Sequence, residues 1–319
     1  MNKETGTSKV GLTKAGSEAK RRSGLIFDIQ RFSLHDGPGI RSTVFMKGCP
    51  LHCQWCSNPE SINAYPEIMA YDTKCVRCGR CEQVCPKGAI TIVEDVRKID
   101  RSNCDFCLEC VKACTSGAIE QVGKYMSVDE VVEEVAKDFL FYKNSGGGVT
   151  LSGGEPLLQW EFAIEVLRQC QERGIHTALD TSGYTNWEIM EHVLEYVDLV
   201  LFDIKHMNPG KHKEGTRVDN ALILDNAVRT AGKVRTWIRV PVITGYNDSE
   251  SNIRELAEFI AKLPIEKVSL LPYHCWGEQK YQRLGRSYHF KNTPSPTDEE
   301  IQKLKEIMES YKIDVTISR

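Results

Sequence analysis

Long apolar runs are missing from this chain. No stretch of its 319 residues approaches the roughly 18–20 apolar positions that a membrane-crossing helix needs. The first 22 residues carry six Lys or Arg against two Glu and lack the hydrophobic segment of a secretory signal. A solvated tail over residues 1–23 is expected instead. An excess of one charge is missing too. With 41 Lys and Arg against 44 Asp and Glu, the net charge is −3, which offers no electrostatic case for nucleic acid. Neither a Ser/His/Asp arrangement nor a phosphate-binding glycine loop can be read, so hydrolysis by a triad and nucleotide chemistry lack candidates. The expectation is a cytoplasmic, monomeric protein with no membrane and no nucleic-acid partner.

Cysteine is abundant. Of 13 in the chain, 11 fall between Cys49 and Cys114. Disulfide scaffolds are small and exported, and neither description fits here, whereas reduced, metal-bound thiolates do fit. Cys75, Cys78, Cys81 and Cys85 are spaced C-x2-C-x2-C-x3-C-P, and Cys104, Cys107, Cys110 and Cys114 repeat that spacing with Thr115 in the proline's place. Both runs end in Gly-Ala-Ile, so this is an internal repeat. Structural zinc sites usually set paired cysteines further apart. The spacing is that of bacterial-type ferredoxins binding two [4Fe–4S] clusters, where the fourth cysteine of each run crosses to the other cluster. The resemblance implies the sets Cys75, Cys78, Cys81 with Cys114, and Cys104, Cys107, Cys110 with Cys85.

Outside this stretch the sequence alternates short apolar runs with helical patterns. The runs "RSTVFMKGC", "GGVTLSGG", "IHTALDTSG", "VDLVLFDIKH", "VRTWIRVPV", "KVSLLPYH" and "IDVTIS" read as strands of a parallel sheet. Ser127 and Glu130 form a capping box before "SVDEVVEEVAKDFLFY", read as one helix, and Gly174 closes "QWEFAIEVLRQCQERG". About six such units predict an α/β fold, a partial (β/α)6-type TIM barrel, with an open doubly wound sheet as the alternative. The barrel would be split into 24–61 and 121–319 by a ferredoxin-like insertion over 62–120.

Cys49, Cys53 and Cys56 remain, in "KGCPLHCQWCSNPE". A closed site wants four ligands. A zinc site completed by His35 or His52 is one reading, and a [4Fe–4S] cluster with one open iron is the other. Cys170 and Cys275 are isolated and read as small buried apolar residues. The C-x3-C-x-aromatic-C pattern, with Trp55 as the aromatic residue, resembles the signature of the radical S-adenosylmethionine superfamily. There the open iron takes the amino and carboxylate groups of S-adenosylmethionine.

"FSLHDGPGIRSTVFMKGCPLHCQWCSNPES" resembles, more narrowly, the activating enzymes of glycyl radical enzymes. The two-cluster insertion resembles their larger subgroup. The resemblance implies three [4Fe–4S] clusters, S-adenosylmethionine and a monovalent cation as cofactors. A large glycyl radical enzyme would be the protein substrate, with a flavodoxin or ferredoxin-type electron donor. The implied cofactor-side residues are Trp55; Gly153, Gly154 and Glu155 of "LSGGEP"; Asp180 and Ser182 of "LDTSG"; Asp203 and Lys205 of "LFDIKH"; Arg239; and His274. The strand-end glycines would let the ligand approach the backbone, and the Glu155 carboxylate would hold its ammonium group. No catalytic acid–base pair is expected, because the cofactor carries the chemistry. Two rivals remain: a radical enzyme acting on a small molecule or peptide, and an electron carrier using only the insertion.

Overall fold

The computed structural model describes residues 23–318. The expected tail therefore lies, apart from Ser23, outside the described residues. Thirteen strands are present among them: β1 (Ser23–Ser33), β2 (Arg41–Met46), β3 (Glu67–Ala70), β4 (Ile90–Val93), β5 (Val96–Ile99), β6 (Ile119–Val122), β7 (Lys124–Ser127), β8 (Gly148–Gly153), β9 (His176–Thr181), β10 (Leu199–Asp203), β11 (Thr236–Val242), β12 (Lys267–Pro272) and β13 (Val315–Ile317). Nine make one sheet in the order β13-β12-β11-β10-β9-β8-β2-β1-β7. From β2 to β13 the pairs are parallel, and β1 joins both β2 and β7 antiparallel. The sheet leaves β13 and β7 as edges, so the barrel is partial.

Alternation along each strand separates two faces. Val44, Val149, Leu151, Leu179, Val200, Phe202, Ile238, Val240, Val268 and Leu270 are buried in the main core with the helix residues. That core includes Val131, Val132 and Val135 of helix Val128–Ala136 and Phe162, Val166, Leu167 and Cys170 of helix Trp160–Glu172. The opposite, concave face carries Thr43, Thr150, Ser152, Asp180, Asp203, Arg239 and Ser269, which register places side by side. Ala178, Leu199 and Leu201 form a small apolar cluster with Trp237 on this face, so its charged groups gather toward the C-terminal ends of β9, β10 and β11, where a ligand belongs.

The capping box forms, with the Ser127 amide donating to Glu130 at 2.7 Å, and Gly174 takes the left-handed turn (φ 71°) after its helix. The helix read from "SVDEVVEEVAKDFLFY" is two: Val128–Ala136 and Phe139–Ser145. They break at Asp138, whose buried carboxylate accepts from Arg31 of β1 (2.7 Å from Nε) and from Ser42 of β2 (3.0 Å). Between β2 and β7 the chain leaves the sheet. There β3 pairs with β6 and β4 with β5, around a small core of Ile68, Cys81, Ile90, Cys110 and Ile119.

Candidate functional site

The first cysteine loop follows β2, at the C-terminal end of the parallel strands, where (β/α) folds place their sites. Backbone hydrogen bonds pin it from three sides. The Gly48 and Cys49 amides donate to Ser61 (2.7 Å) and Ile62 (3.0 Å), and the His52 and Gln54 amides donate to Thr216 (2.9 Å) and Gly215 (3.0 Å). From β8, the Glu155 amide donates to the Gly48 carbonyl at 2.7 Å. The two glycines of "LSGGEP" are what allow this approach. A Cβ on Gly154 would stand 2.2 Å from the Gly48 carbonyl oxygen, and Gly153, at φ +114°, lies against the Met46 backbone. The demand for glycine at 154 therefore comes from the cysteine loop, and at 153 from the backbone of β2.

A cavity of about 230 Å3 opens beside the loop. Cys49, Cys53, Trp55, Cys56, Gly153, Gly154, Asp180, Ser182, Asp203, Lys205 and Arg239 all line it, so eleven residues expected from five separate motifs meet there. Burial pushes the Cys49 and Cys53 thiols up and the Cys56 thiol to about 12. Burial thus disfavours free thiolates at these positions, and metal coordination would stabilise them. Among the described residues, no three His, Cys, Asp or Glu side chains converge as a single ion would need. The thiolate ligands of a polynuclear cluster bind separate irons and need not meet at one point.

The far wall is charged. Arg239 lies 3.1 Å from Asp180, 3.7 Å from Asp36 and 3.9 Å from Asp203, yet its Nε and Nη1 and the Oδ1 of Asp203 have no hydrogen-bond partner. Buried charges left with open hydrogen-bonding capacity suit a ligand bearing both charges. Burial raises the Asp180 carboxyl to about 6, against the pull of Arg239 and with Asp203 adding to the rise. Burial works against the Lys205 ammonium, but Asp203, 2.8 Å away, more than offsets it and the pKa is raised.

Two expected residues stand elsewhere. Glu155 is fully buried behind the wall, and its carboxylate accepts from Thr181 Oγ1 (2.7 Å), the Ser182 amide (2.9 Å) and Ser182 Oγ (2.6 Å). It shapes the turn that carries Ser182 rather than facing a ligand. His274 is outside the cavity lining; its ring stacks on Trp276 at 4.6 Å, and its buried Nε2 has no partner. Trp55 packs on Tyr246 at 4.6 Å. Cys170 is buried in the core as expected, but Cys275 is exposed, because the turn after β12 holds it at the surface. Sequence reading missed Asp36, Ser152 and Thr181. The Ser152 hydroxyl donates to Asp180 at 2.6 Å, and Asp36 is held by Ser33 and Thr43.

In the inserted segment, Cys85, Cys104, Cys107 and Cys110 line one small cavity with Ile68. The Ala89 amide donates to Cys85 Sγ at 3.3 Å and the Ala118 amide to Cys114 Sγ at 3.2 Å, the same contact at both repeats. Such amide donors stabilise cluster thiolates.

The chain matches a model of the Radical SAM superfamily over residues 101–260, a 4Fe-4S dicluster domain over 74–118 and a 4Fe-4S single cluster domain over 35–86. It is 46% identical, over 84% of its length and 88% of the relative's, to (2S)-3-sulfopropanediol dehydratase activating enzyme of Klebsiella oxytoca. It is also 46% identical to isethionate sulfite-lyase activating enzyme of Oleidesulfovibrio alaskensis, over 84% and 89% of the two chains. Identity to 4-hydroxyphenylacetate decarboxylase activating enzyme of Clostridioides difficile is 42%, over 91% and 95%.

Proposed function

The chain belongs to the radical S-adenosylmethionine superfamily and, within it, to the activating enzymes of glycyl radical enzymes, and from that premise we propose how its residues perform the activation. Bound together at the Cys49–Cys56 loop, an iron–sulfur cluster and S-adenosylmethionine supply a 5′-deoxyadenosyl radical, which takes a hydrogen atom from a glycine of the partner enzyme. Cys49, Cys53 and Cys56 hold three irons of a [4Fe–4S] cluster and leave the fourth open.

Gly153 and Gly154 hold the loop against the cofactor pocket, with Glu155 setting the Ser182 turn behind it. Arg239 meets the cofactor's carboxylate, and Asp180, Ser182 and Lys205 orient its remaining polar groups. Trp55 backs the loop, and His274, outside the cavity lining, would act on the cofactor side only from beyond the end of β12. A monovalent cation would bind beside the Asp180 and Asp203 carboxylates. Residues 62–120 form a module with two further [4Fe–4S] clusters, on Cys75, Cys78, Cys81 and Cys114 and on Cys104, Cys107, Cys110 and Cys85. That makes three clusters in a cytoplasmic monomer, reduced by a flavodoxin or ferredoxin-type donor. The partner is a large glycyl radical enzyme of the lyase, decarboxylase or dehydratase type.

One observation carries this reading. Three thiols and a guanidinium that pairs with Asp180 yet keeps open hydrogen-bonding capacity line one cavity. The test is anaerobic incubation of the reconstituted protein with S-adenosylmethionine, a reductant and candidate partners of those three types. A glycyl radical doublet in the partner's EPR spectrum, matched by 5′-deoxyadenosine, is the expected result. Cleavage with no radical in any partner would favour a small-molecule or peptide substrate instead.

A further inference from the structure

The internal repeat loses its symmetry where it meets the barrel. The residue before the second cysteine is Arg77 in the first run and Phe106 in the second, both in left-handed backbone (φ 56° and 57°). Arg77 is exposed and pairs with Asp95 at 3.4 Å. Phe106 packs on Tyr65, with ring centroids 5.4 Å apart. Tyr65 belongs to the segment that leaves the first cysteine loop, where Ile62 accepts from the Cys49 amide and Ala64 lies against Gly48.

A second difference stands three residues before each run. The first has Asp72, 82% exposed, and the second has Arg101. Arg101 donates to the Ile68 carbonyl at 2.8 Å and to the Arg283 carbonyl, on the barrel side, at 3.0 Å. Gly285, at φ +65°, passes directly beneath it: a Cβ there would stand 2.9 Å from Arg101 Nε. The "QRLG" stretch thus serves as a seat for Arg101. Glu67 adds a third tie, accepting from Lys47 (3.1 Å), Asn63 (3.0 Å) and Arg286. Its neighbour Ile68 lines the cavity of Cys85, Cys104, Cys107 and Cys110.

We infer that these contacts fix the insertion in one orientation, with the Cys85, Cys104, Cys107, Cys110 set as the inner cluster facing the barrel and the Cys75, Cys78, Cys81, Cys114 set as the outer one. The outer set is where an electron enters. Val76, between two of its cysteines, is 67% exposed and offers the donor an apolar contact. The electron comes from a one-electron flavin or iron–sulfur protein, which is oxidised, and ends on the iron held by Cys49, Cys53 and Cys56, which is reduced. No bond forms or breaks and no proton moves. Arg101 is a positioning residue for the inner cluster: it stands three residues before Cys104, is tied to the Ile68 carbonyl beside that cavity, and its positive charge on that side favours the more negative, reduced form. The inference rests on reading both sets as [4Fe–4S] clusters.

The test uses the reconstituted full-length protein and EPR-monitored redox titration. About eight irons beyond those of the barrel loop must first be found, and their absence would refute the two-cluster reading itself. Arg101→Gln is expected to move one inserted cluster to more negative potential and leave the other unchanged. Reduction of the barrel cluster by the protein donor should slow about tenfold. Arg101→Lys, which keeps the charge, should restore the potential. The cluster that moves should be the one lost in Cys107→Ala, and line broadening of the reduced barrel cluster should vanish in that variant but persist in Cys78→Ala. Broadening that depends on Cys78 and not Cys107, or a potential unmoved in Arg101→Gln, would overturn the inference.

Discussion

A side chain at position 154 would strike the cysteine loop before it touched any ligand. The 2.2 Å separation from the Gly48 oxygen makes Gly154 a residue of the cluster site as well as of the cofactor pocket. Gly154→Val should therefore lose about four irons together with S-adenosylmethionine affinity. Normal iron content with weakened binding would restore the simpler view, drawn from sequence, that glycine only admits the ligand. Asp180 offers a second measurement at this scale. Its carboxyl titrates near 6, above the ordinary aspartate value, so the folded apo-protein binds that proton more tightly than the unfolded chain does. The group's contribution to stability is then present in acid and falls as pH rises from about 4 to about 6, by at most about 1.4 kcal/mol per pH unit. Urea denaturation of Asp180→Asn should lack this slope relative to wild type, and identical profiles would refute the shift. The residues that sequence missed here, Asp36 and Ser152, act on Asp180 and Arg239 only because the strands lie side by side. No local spacing carries that information. The cysteines, by contrast, announce themselves, because a cluster's ligand spacing is confined to one short loop.

At the scale of elements, the parallel strands were readable because each is apolar toward the helices and ends in a turn. Both antiparallel strands at the β7 edge escaped notice. β1 is buried only at residues 24–26 and at Ser33 and carries charged and polar residues after Phe27, and β7 is four residues long, so neither reads as a continuous apolar strand. The break between helices Val128–Ala136 and Phe139–Ser145 was also invisible locally, since its cause lies across the sheet in Arg31 and Ser42. Asp138→Ala should leave the Ser42 hydroxyl without its acceptor and remove the tie between β1 and the helix pair. A loss of about 1–3 kcal/mol is expected in chemical denaturation, with cofactor binding unchanged. A neutral result would mean that Arg31, itself partly exposed, contributes little and that the two helices are held by their apolar faces alone.

At the scale of the whole molecule, two metal-binding bodies share one chain, and their cores are separate. The insertion packs around Ile68, Ile90 and Ile119, while the barrel's large core lies between sheet and helices. The first cysteine loop is held by backbone hydrogen bonds and by Trp55 on Tyr246, not by its thiols. Removing those thiols should accordingly spare both bodies. The triple change Cys49→Ala, Cys53→Ala and Cys56→Ala is expected to take about four irons from about twelve, leave the far-ultraviolet spectrum unchanged and abolish S-adenosylmethionine cleavage. The result follows from the division of ligands. On the proposed assignment, the insertion's eight cysteines would close two sites completely and leave no iron open to the cofactor, whereas the three cysteines that share a cavity with Arg239 would leave one. Cleavage that survives the triple change, measured as 5′-deoxyadenosine per protein under dithionite, would mean that an inserted cluster performs the chemistry. The barrel cavity would then need another ligand.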